Sequence, residues 1–117
     1  MIAVIFEVWP AAEQKDKYFD LALSLREELS QIDGFISVER FQSLMDTEKF
    51  LSLSFWRDET AIHNWRNLES HRSAQTRGRA EVFIDYRLRV ASVIRDYGMN
   101  ERKEVPIDSQ ASHRHIE

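Results

Sequence analysis

The side chains best suited to chemistry are concentrated in residues 64–79, which read NWRNLESHRSAQTRGR. The segment holds Trp65, His71 and four arginines. A histidine has an ordinary pKa of about 6.5, so it can act as a general base near neutral pH. An arginine guanidinium binds carboxylates and phenolates through two parallel hydrogen bonds. Together these residue types could belong to a reaction site that binds an aromatic molecule as its anion, or to an amphipathic helix that is only rich in arginine.

We predict three catalytic residues for such a site. His71 is the candidate base, Trp65 is the candidate aromatic wall, and Arg87 is the candidate partner of the anion. Each also has a structural alternative, because a tryptophan can belong to the core, a histidine can be a buried structural group, and arginines often form surface ion pairs. The candidates for further substrate contacts are Asn64, Gln75, Arg79 and Tyr86.

Helix geometry adds a condition to this hypothesis. On an unbroken helix, the separation of six positions between Trp65 and His71 would leave the two rings about 120° apart. Both can reach one pocket only if the helix breaks near residues 68–70, with Ser70 as the N-cap of a second segment. A continuous helix through this region would weaken the site hypothesis.

Composition narrows the class of protein. The chain has 117 residues and 43% hydrophobic content, enough for one domain with its own core. It has no cysteine, which excludes disulfides, thiolate catalysis and cysteine-ligated metal centres. We expect a cytoplasmic protein without a membrane span, because no stretch approaches about 20 apolar residues. His113 and His115 form only a weak metal motif, so we expect no metal site.

The charges are unevenly distributed along the chain. The net charge is −4, which argues against a general nucleic-acid-binding protein. Residues 1–56 contain ten acidic and five basic side chains, whereas residues 57–97 contain six acidic and eight basic ones. All eight of those bases are arginine, which favours planar contacts to carboxylates or aromatic rings, or ion pairs with the acidic first half.

Hydrophobic periodicity predicts a ferredoxin-like α+β domain over residues 1–98, followed by a polar tail over residues 99–117. Alternation predicts four strands and three- to four-residue spacing predicts two helices, with Asp58 as the N-cap of the second helix. The order β-α-β-β-α-β places both helices on one face of an antiparallel sheet. The predicted segments are strands 2–9, 35–42, 49–56 and 86–97, a helix over 13–32 and a helix starting after Asp58.

The strands carry apolar residues on both faces, although two helices can cover only one. In a chain this small, a second copy of the same sheet is the most economical cover for the other face. We therefore predict a homodimer in which two sheets pack face to face and close a dimeric α+β barrel.

Several motifs together resemble the antibiotic biosynthesis monooxygenase family, a group of small dimeric α+β-barrel proteins. They are FWRDETA at the junction of strand and helix, Trp65 in the second helix, His71 six residues later, and DYRLRVA opening the last strand. The resemblance covers nearly all of residues 1–98 and implies the fold, the dimer and a pocket between helices and sheet in each subunit. Some members of the family oxidise phenolic polyketides or quinols with dioxygen and no cofactor, and others degrade heme.

The resemblance discriminates between these branches. The heme-degrading branch has an asparagine in strand 1 and a histidine ten residues after the tryptophan, where this chain has Glu7 and Gln75. Glutamine is a poor iron ligand, so heme degradation is the less favoured function. The quinone-forming branch has an aromatic, a polar and a basic residue that match Trp65, His71 and Arg87, although its asparagine position holds Ala61.

The sequence therefore favours a cofactor-independent monooxygenase, without metal or flavin, that oxidises a small aromatic, phenolic or quinol substrate with dioxygen. The alternative is a non-catalytic dimeric module that binds a small hydrophobic or aromatic ligand. Fold alone does not separate the two.

Overall fold

The computed structural model describes residues 1–68, 72–73, 76 and 82–110. Four strands form one antiparallel sheet in the order β2-β3-β1-β4. This order confirms the predicted ferredoxin-like topology. The described elements are β1 Ile2–Pro10, α1 Lys15–Ser30, β2 Phe35–Gln42, β3 Phe50–Trp56, α2 Glu59–Arg66, β4 Phe83–Ser92 and α3 Ile107–Gln110, with a 3₁₀ turn at Ala12–Gln14 before α1.

The last strand differs from its predicted range of 86–97, because it begins at Phe83 and ends at Ser92. β4 pairs only with β1, whose first paired residue, Ile2, lies opposite Ser92. One further bond joins the Val93 N–H to the Met1 carbonyl at 3.0 Å. β4 therefore ends opposite the first residue of β1, although the alternating sequence pattern continues for several more residues.

Both helices cover the same side of the sheet, which we call the helix side. One buried cluster joins Tyr18 of α1 to Val8 and Phe50 of the sheet. A second cluster joins Leu29 of α1, and Ala61 and Trp65 of α2, to Trp56 of β3. Because side chains alternate along a strand, residues 2, 4, 6 and 8 of β1 face the helices, and residues 3, 5, 7 and 9 face the opposite, open side.

The turn between α1 and β2 requires a glycine. Gly34 has a φ of +92°, which side chains rarely allow. A Cβ atom at this position would lie 2.8 Å from the Cβ of Ala61 in α2. Gly34 therefore allows both the turn and the close approach of α2 to the loop.

The start of α2 is fixed by its predicted N-cap. Asp58 Oδ1 accepts a hydrogen bond from the Ala61 N–H at 3.0 Å, as the sequence predicted. Arg57 donates to both Asp58 and Asp33, with distances of 3.0 and 3.1 Å. The hydrogen bond from Arg57 is the main reason that the pKa of Asp33 lies below its ordinary value. These contacts join the end of α1 to the beginning of α2.

The polar segment after β4 has local structure of its own. The Gly98 N–H donates to the Glu101 carbonyl at 2.8 Å, and the Arg102 guanidinium lies 5.7 Å from the centre of the Tyr97 ring. Val105 is buried, and α3 follows it. Within the described ranges, no helix is long and apolar enough to cross a membrane.

Candidate functional site

The helix side of β4 carries an apolar surface that neither α1 nor α2 covers. Pairing with β1 places Tyr86 opposite Val8, Leu88 opposite Phe6 and Val90 opposite Val4, so all three β4 residues lie on the helix side. Their exposed fractions are 40%, 50% and 48%. We call Tyr86, Leu88 and Val90 the β4 strip, and we treat it as the candidate binding surface because it is apolar, accessible and bordered by the core.

One end of the β4 strip is aromatic. The ring centre of Phe6 lies 5.6 Å from that of Tyr86 and 5.8 Å from that of Phe83. Phe83 in turn lies 6.0 Å from Tyr18, which belongs to the first buried cluster. The predicted substrate residue Tyr86 therefore presents a phenol at the edge of an aromatic surface, where it can contact an apolar ligand and still form a hydrogen bond.

The other end of the β4 strip approaches the cluster that contains Trp65. Val4, opposite Val90 in the sheet, packs against that cluster together with Ile2. Trp65 is 9% exposed and lies one turn after Ala61 on the buried face of α2. Its burial agrees with the structural alternative, a core tryptophan, and its contact with a substrate stays a prediction.

The structure does not bring Arg87 and Trp65 together. Arg87 lies opposite Glu7, on the open side of the sheet, whereas Trp65 packs on the helix side. The sequence hypothesis assigned Arg87 and Trp65 to one pocket. Side chains alternate along β4, however, so Tyr86 and Arg87 lie on opposite sides of the sheet. Arg87 is therefore a residue of the open side and does not contribute to the β4 strip.

On the open side, Glu7 holds two cations. Its carboxylate forms ion pairs with Lys49 and Arg89. The hydrogen bond from Lys49, with a further contribution from Arg89, outweighs partial burial and lowers the pKa of Glu7. Lys49 also lies 5.2 Å from the centre of the Trp9 ring. Glu7 and these neighbours form a charged group on the open side, next to its apolar residues.

The remaining sequence candidates are distributed as follows. Asn64 is exposed on α2. His71, Gln75 and Arg79, together with Ser70, lie outside the described residues. α2 ends at Arg66, shortly before the predicted break at residues 68–70.

Three described residues between α2 and β4 are also helical. They are residues 72–73 and 76, and the Arg72 N–H donates to the Leu68 carbonyl at 3.1 Å. Residues 69–71, where most of the predicted break falls, lie outside the described residues, so the break stays a prediction.

Sequence reasoning missed Leu88 and Val90, because it looked for polar and aromatic groups. The signal was present, since the two residues alternate with Arg87 and Arg89 along the strand. The sequence pattern did not show that β4 lies at an edge of the sheet, where the helices leave its side chains accessible.

The described residues near the β4 strip offer little acid–base chemistry apart from the Tyr86 phenol. His63 is exposed on α2, with Nδ1 3.2 Å from Arg66 Nη2 and 3.3 Å from Asn67 Nδ2. In the described part of the chain, no group of three or more histidine, aspartate or glutamate side chains is arranged to hold a metal ion.

Comparison with known proteins identifies the family. A family model described as antibiotic biosynthesis monooxygenase matches residues 1–77. A Pyricularia oryzae protein named jasmonate monooxygenase ABM is 49% identical over 105 residues, which cover 90% of this chain and 49% of that protein. The uncharacterized protein YqjZ of Bacillus subtilis is 33% identical over 63 residues, or 53% of each chain. The chain spans about half the length of these curated relatives.

Solved structures support the same fold. A Deinococcus radiodurans protein assigned to the antibiotic biosynthesis monooxygenases superimposes with a TM-score of 0.74 at 17% identity, covering 84% of this chain and 97% of that one. Rv0793 of Mycobacterium tuberculosis also gives a TM-score of 0.74, at 15% identity, with 83% and 98% covered. The family model, the relative at 49% identity and the sheet order agree. This chain therefore belongs to the antibiotic biosynthesis monooxygenase family.

Proposed function

We propose that the chain is a monooxygenase that oxidises a small, largely apolar molecule with dioxygen, and that the β4 strip binds this molecule. The observation that carries the proposal is the exposed row of Tyr86, Leu88 and Val90 on the helix side of the sheet. Such a row leaves apolar side chains in contact with water unless a ligand covers them, which is unfavourable. Membership of the family supports the reaction type.

The chemistry that we propose needs neither metal nor flavin. An anthrone or hydroquinone becomes a strong electron donor once it loses a proton, and dioxygen is the oxidant. For an anthrone, the CH2 group and O2 become a carbonyl group and water, so the substrate supplies all the electrons and both hydrogens. The protein must remove the proton, orient the ring and exclude bulk water. We assign the base to His71, as the sequence predicts, and ring orientation to Tyr86.

A second substrate class comes from the relative named jasmonate monooxygenase. Jasmonate is a small carboxylate whose cyclopentanone ring carries an apolar side chain, so this apolar part also suits the β4 strip. Jasmonate and the phenols or quinols share size and hydrophobicity but differ in electron supply. Inserting one atom of O2 into a C–H bond of jasmonate and reducing the other atom to water takes two further electrons and two protons, so the jasmonate reaction requires an external reductant of the nicotinamide class, and its assay contains NADPH. We propose the shared class, and the experiment separates its two members.

The test is oxygen uptake with anthrone, a hydroquinone and jasmonate as separate substrates, with ¹⁸O₂ and mass spectrometry to locate the incorporated oxygen. Leu88→Gln places an amide in the β4 strip and should raise the apparent KM about tenfold. The matched control is Leu44→Gln, the same substitution at a hairpin residue that is 97% exposed. Equal kinetics in the two variants would show that the β4 strip does not bind the substrate. The absence of oxygen uptake with every substrate would contradict the proposed activity.

The predicted roles of His71 and Arg87 are tested by His71→Ala and Arg87→Ala. If His71 is the base, its removal lowers kcat and abolishes the pH dependence near its pKa. A similar loss in Arg87→Ala would show that the substrate reaches the open side of the sheet and that the β4 strip is not the binding surface.

A binding module without catalysis is the second candidate. One observation favours it: of the three residues that form the β4 strip, only Tyr86 has a titratable side chain. Quenching of tryptophan fluorescence by a substrate that causes no oxygen uptake would support it. Heme binding is a separate outcome, visible as a saturable Soret band during titration with hemin.

We also propose that two copies pack through their open sides. Support comes from the partly exposed apolar residues there, Ile5, Leu51, Leu53 and Phe55, which no described helix covers. Covering them with the same surface of a second copy gives a closed two-fold interface. Light scattering should report a dimer for the wild type and a monomer for Leu53→Arg, whereas the hairpin variant Leu44→Arg should stay dimeric. A monomeric wild type would exclude this assembly.

A further inference from the structure

On the helix side of the sheet, around the start of α1, three buried polar atoms lack hydrogen-bond partners. They are Gln14 Oε1, Tyr18 OH and Arg40 Nε, which are buried and make no hydrogen bond of normal geometry within the described residues. Gln14 and Tyr18 lie one helical turn apart at the start of α1. Buried polar groups are paired in the great majority of cases, so three unpaired atoms in one region indicate a missing partner.

The charge of Arg40 makes this region unusual. Arg40 lies opposite Ser52 on the helix side of β2 and is partly buried. It forms no ion pair with any carboxylate in the described part of the chain. A guanidinium withdrawn from water is normally matched by a carboxylate or phosphate, because desolvating an unmatched charge is costly.

Tyr18 supplies a second donor beside Arg40. Its side chain is 4% exposed, and its ring lies 6.2 Å from Phe50 and 6.0 Å from Phe83. Burial raises the pKa of Tyr18, an effect that the charge of Arg40 and the contact of its guanidinium with the phenol oxygen partly offset. The phenol is therefore protonated at neutral pH and has a hydrogen to donate, close to the guanidinium of Arg40.

We propose that Arg40, Tyr18 and Gln14 form a binding site for the carboxylate group of a small molecule, between α1 and β2. Two adjacent donors, one of them charged, match the two oxygens of a carboxylate. The amide of Gln14 can accept from a neighbouring hydroxyl of the ligand or, turned over, donate to the carboxylate. A water molecule would satisfy the phenol and the amide but would leave the charge of Arg40 unmatched.

Arg40 lies on β2, at the edge of the sheet opposite β4. Tyr18 lies between the two edges, since its ring contacts Phe83 beside the β4 strip. The site does not depend on the proposed oxidation. A protein without monooxygenase activity would have the same unpaired atoms.

The experiment is an NMR titration of the full chain that follows the side-chain Nε–H signal of Arg40. The probes are acetate and benzoate, and the neutral controls of matched shape are acetamide and benzamide, all at constant ionic strength. We expect saturable shifts with the carboxylates only. Arg40→Gln should weaken binding about tenfold or more, because it removes a charge-assisted hydrogen bond. The matched control is Arg26→Gln, at an exposed arginine of α1, which should bind as the wild type does.

Tyr18→Phe keeps the ring and removes only the hydroxyl, so it should weaken benzoate binding several-fold without loss of the fold. This variant and the comparison of carboxylate with amide keep the test decisive even if Arg40→Gln does not fold. Binding of the amides as tight as that of the carboxylates would overturn the proposal. The same conclusion would follow from unchanged affinity in Tyr18→Phe, or from the absence of saturable shifts.

Discussion

On the helix side of β1, Val8 is completely buried and Phe6 stacks against Tyr86, whereas on the open side the intervening residue Glu7 binds two cations. Both surfaces come from the same strands and alternate from one residue to the next. The helix side holds the two core clusters and, at the β4 edge, an accessible apolar strip. The open side combines partly exposed apolar residues with the ion pairs of Glu7.

The comparison indicates that a short chain can use different surfaces of one sheet for stability and for binding. The helix side supplies most of the buried aromatic packing, so its central residues are constrained by the core. β4 lies at the edge, where the described helices do not reach, and its helix-side residues are available for a ligand. The open side supplies a surface that a second copy can cover.

The largest expected effect tests whether stability resides on the helix side. Trp56 is 2% exposed and packs 5.3 Å from Phe35, so Trp56→Ala should lower the free energy of unfolding by about 3–5 kcal/mol. Trp9 lies on the open side and donates from Nε1 to Asp46 at 3.0 Å. We expect Trp9→Ala to cost about 1 kcal/mol. Urea unfolding measures both, and equal losses would contradict the proposed division between the two sides.

A smaller effect tests how tightly the helix layer approaches the sheet. Gly34→Ala places a Cβ atom against Ala61 at a φ of +92°, and should lower the free energy of unfolding by about 1–3 kcal/mol. Gly98→Ala is the control, because a Cβ atom there meets nothing within 4 Å and the glycine has no positive φ. A thermal midpoint that stays unchanged in Gly34→Ala would show that the loop can move away from α2.

The open side should be the more sensitive to acid. The pKa of Glu7 is lower in the folded chain than in the unfolded chain, so the carboxylate stabilises the fold above its ordinary pKa. That stabilisation is lost as the pH falls through the lowered value. Glu7→Gln should therefore be less stable than the wild type at pH 7, and the difference should shrink below about pH 4. Urea midpoints between pH 7 and pH 3 measure this, and Glu27→Gln, at an exposed residue of α1, should show no such convergence.

The smallest effect on stability is expected at the β4 strip. Tyr86→Phe keeps the ring contacts with Phe6 and Phe83 and should change the free energy of unfolding by less than about 0.5 kcal/mol. If the phenol orients the substrate, loss of one hydrogen bond should raise the apparent KM about fivefold. A stability loss similar to that of Trp56→Ala would identify Tyr86 as a core residue and not a ligand contact.

Much of the fold could be predicted because local signals and the core pattern agree. The periodicity of residues 13–32 gave α1 within two residues at each end, and the side chain of Asp58 marked the start of α2. β4 shows where this approach fails. Its alternating pattern runs to residue 97, yet the strand stops at Ser92, because a strand needs a hydrogen-bonded neighbour as well as a pattern.

The candidate site was less predictable. Trp65 and Tyr86 could be selected by residue type, and the structure places both on the helix side. Arg87 was selected by the same reasoning and lies on the other side, because adjacent residues of a strand point in opposite directions. Arg40 and Tyr18 attracted no attention in the sequence, since neither belongs to a motif and their proximity depends on the packing of α1 over β2.

The amino-acid sequence alone determined the order of the elements, the amphipathic face of α1 and the cap of α2, because these depend on contacts within a few residues. Tertiary structure decided where β4 ends, which of its residues face the helices, and which buried polar atoms lack partners. Those properties depend on hydrogen bonds and desolvation between residues far apart in the chain, and a local pattern cannot encode such distances.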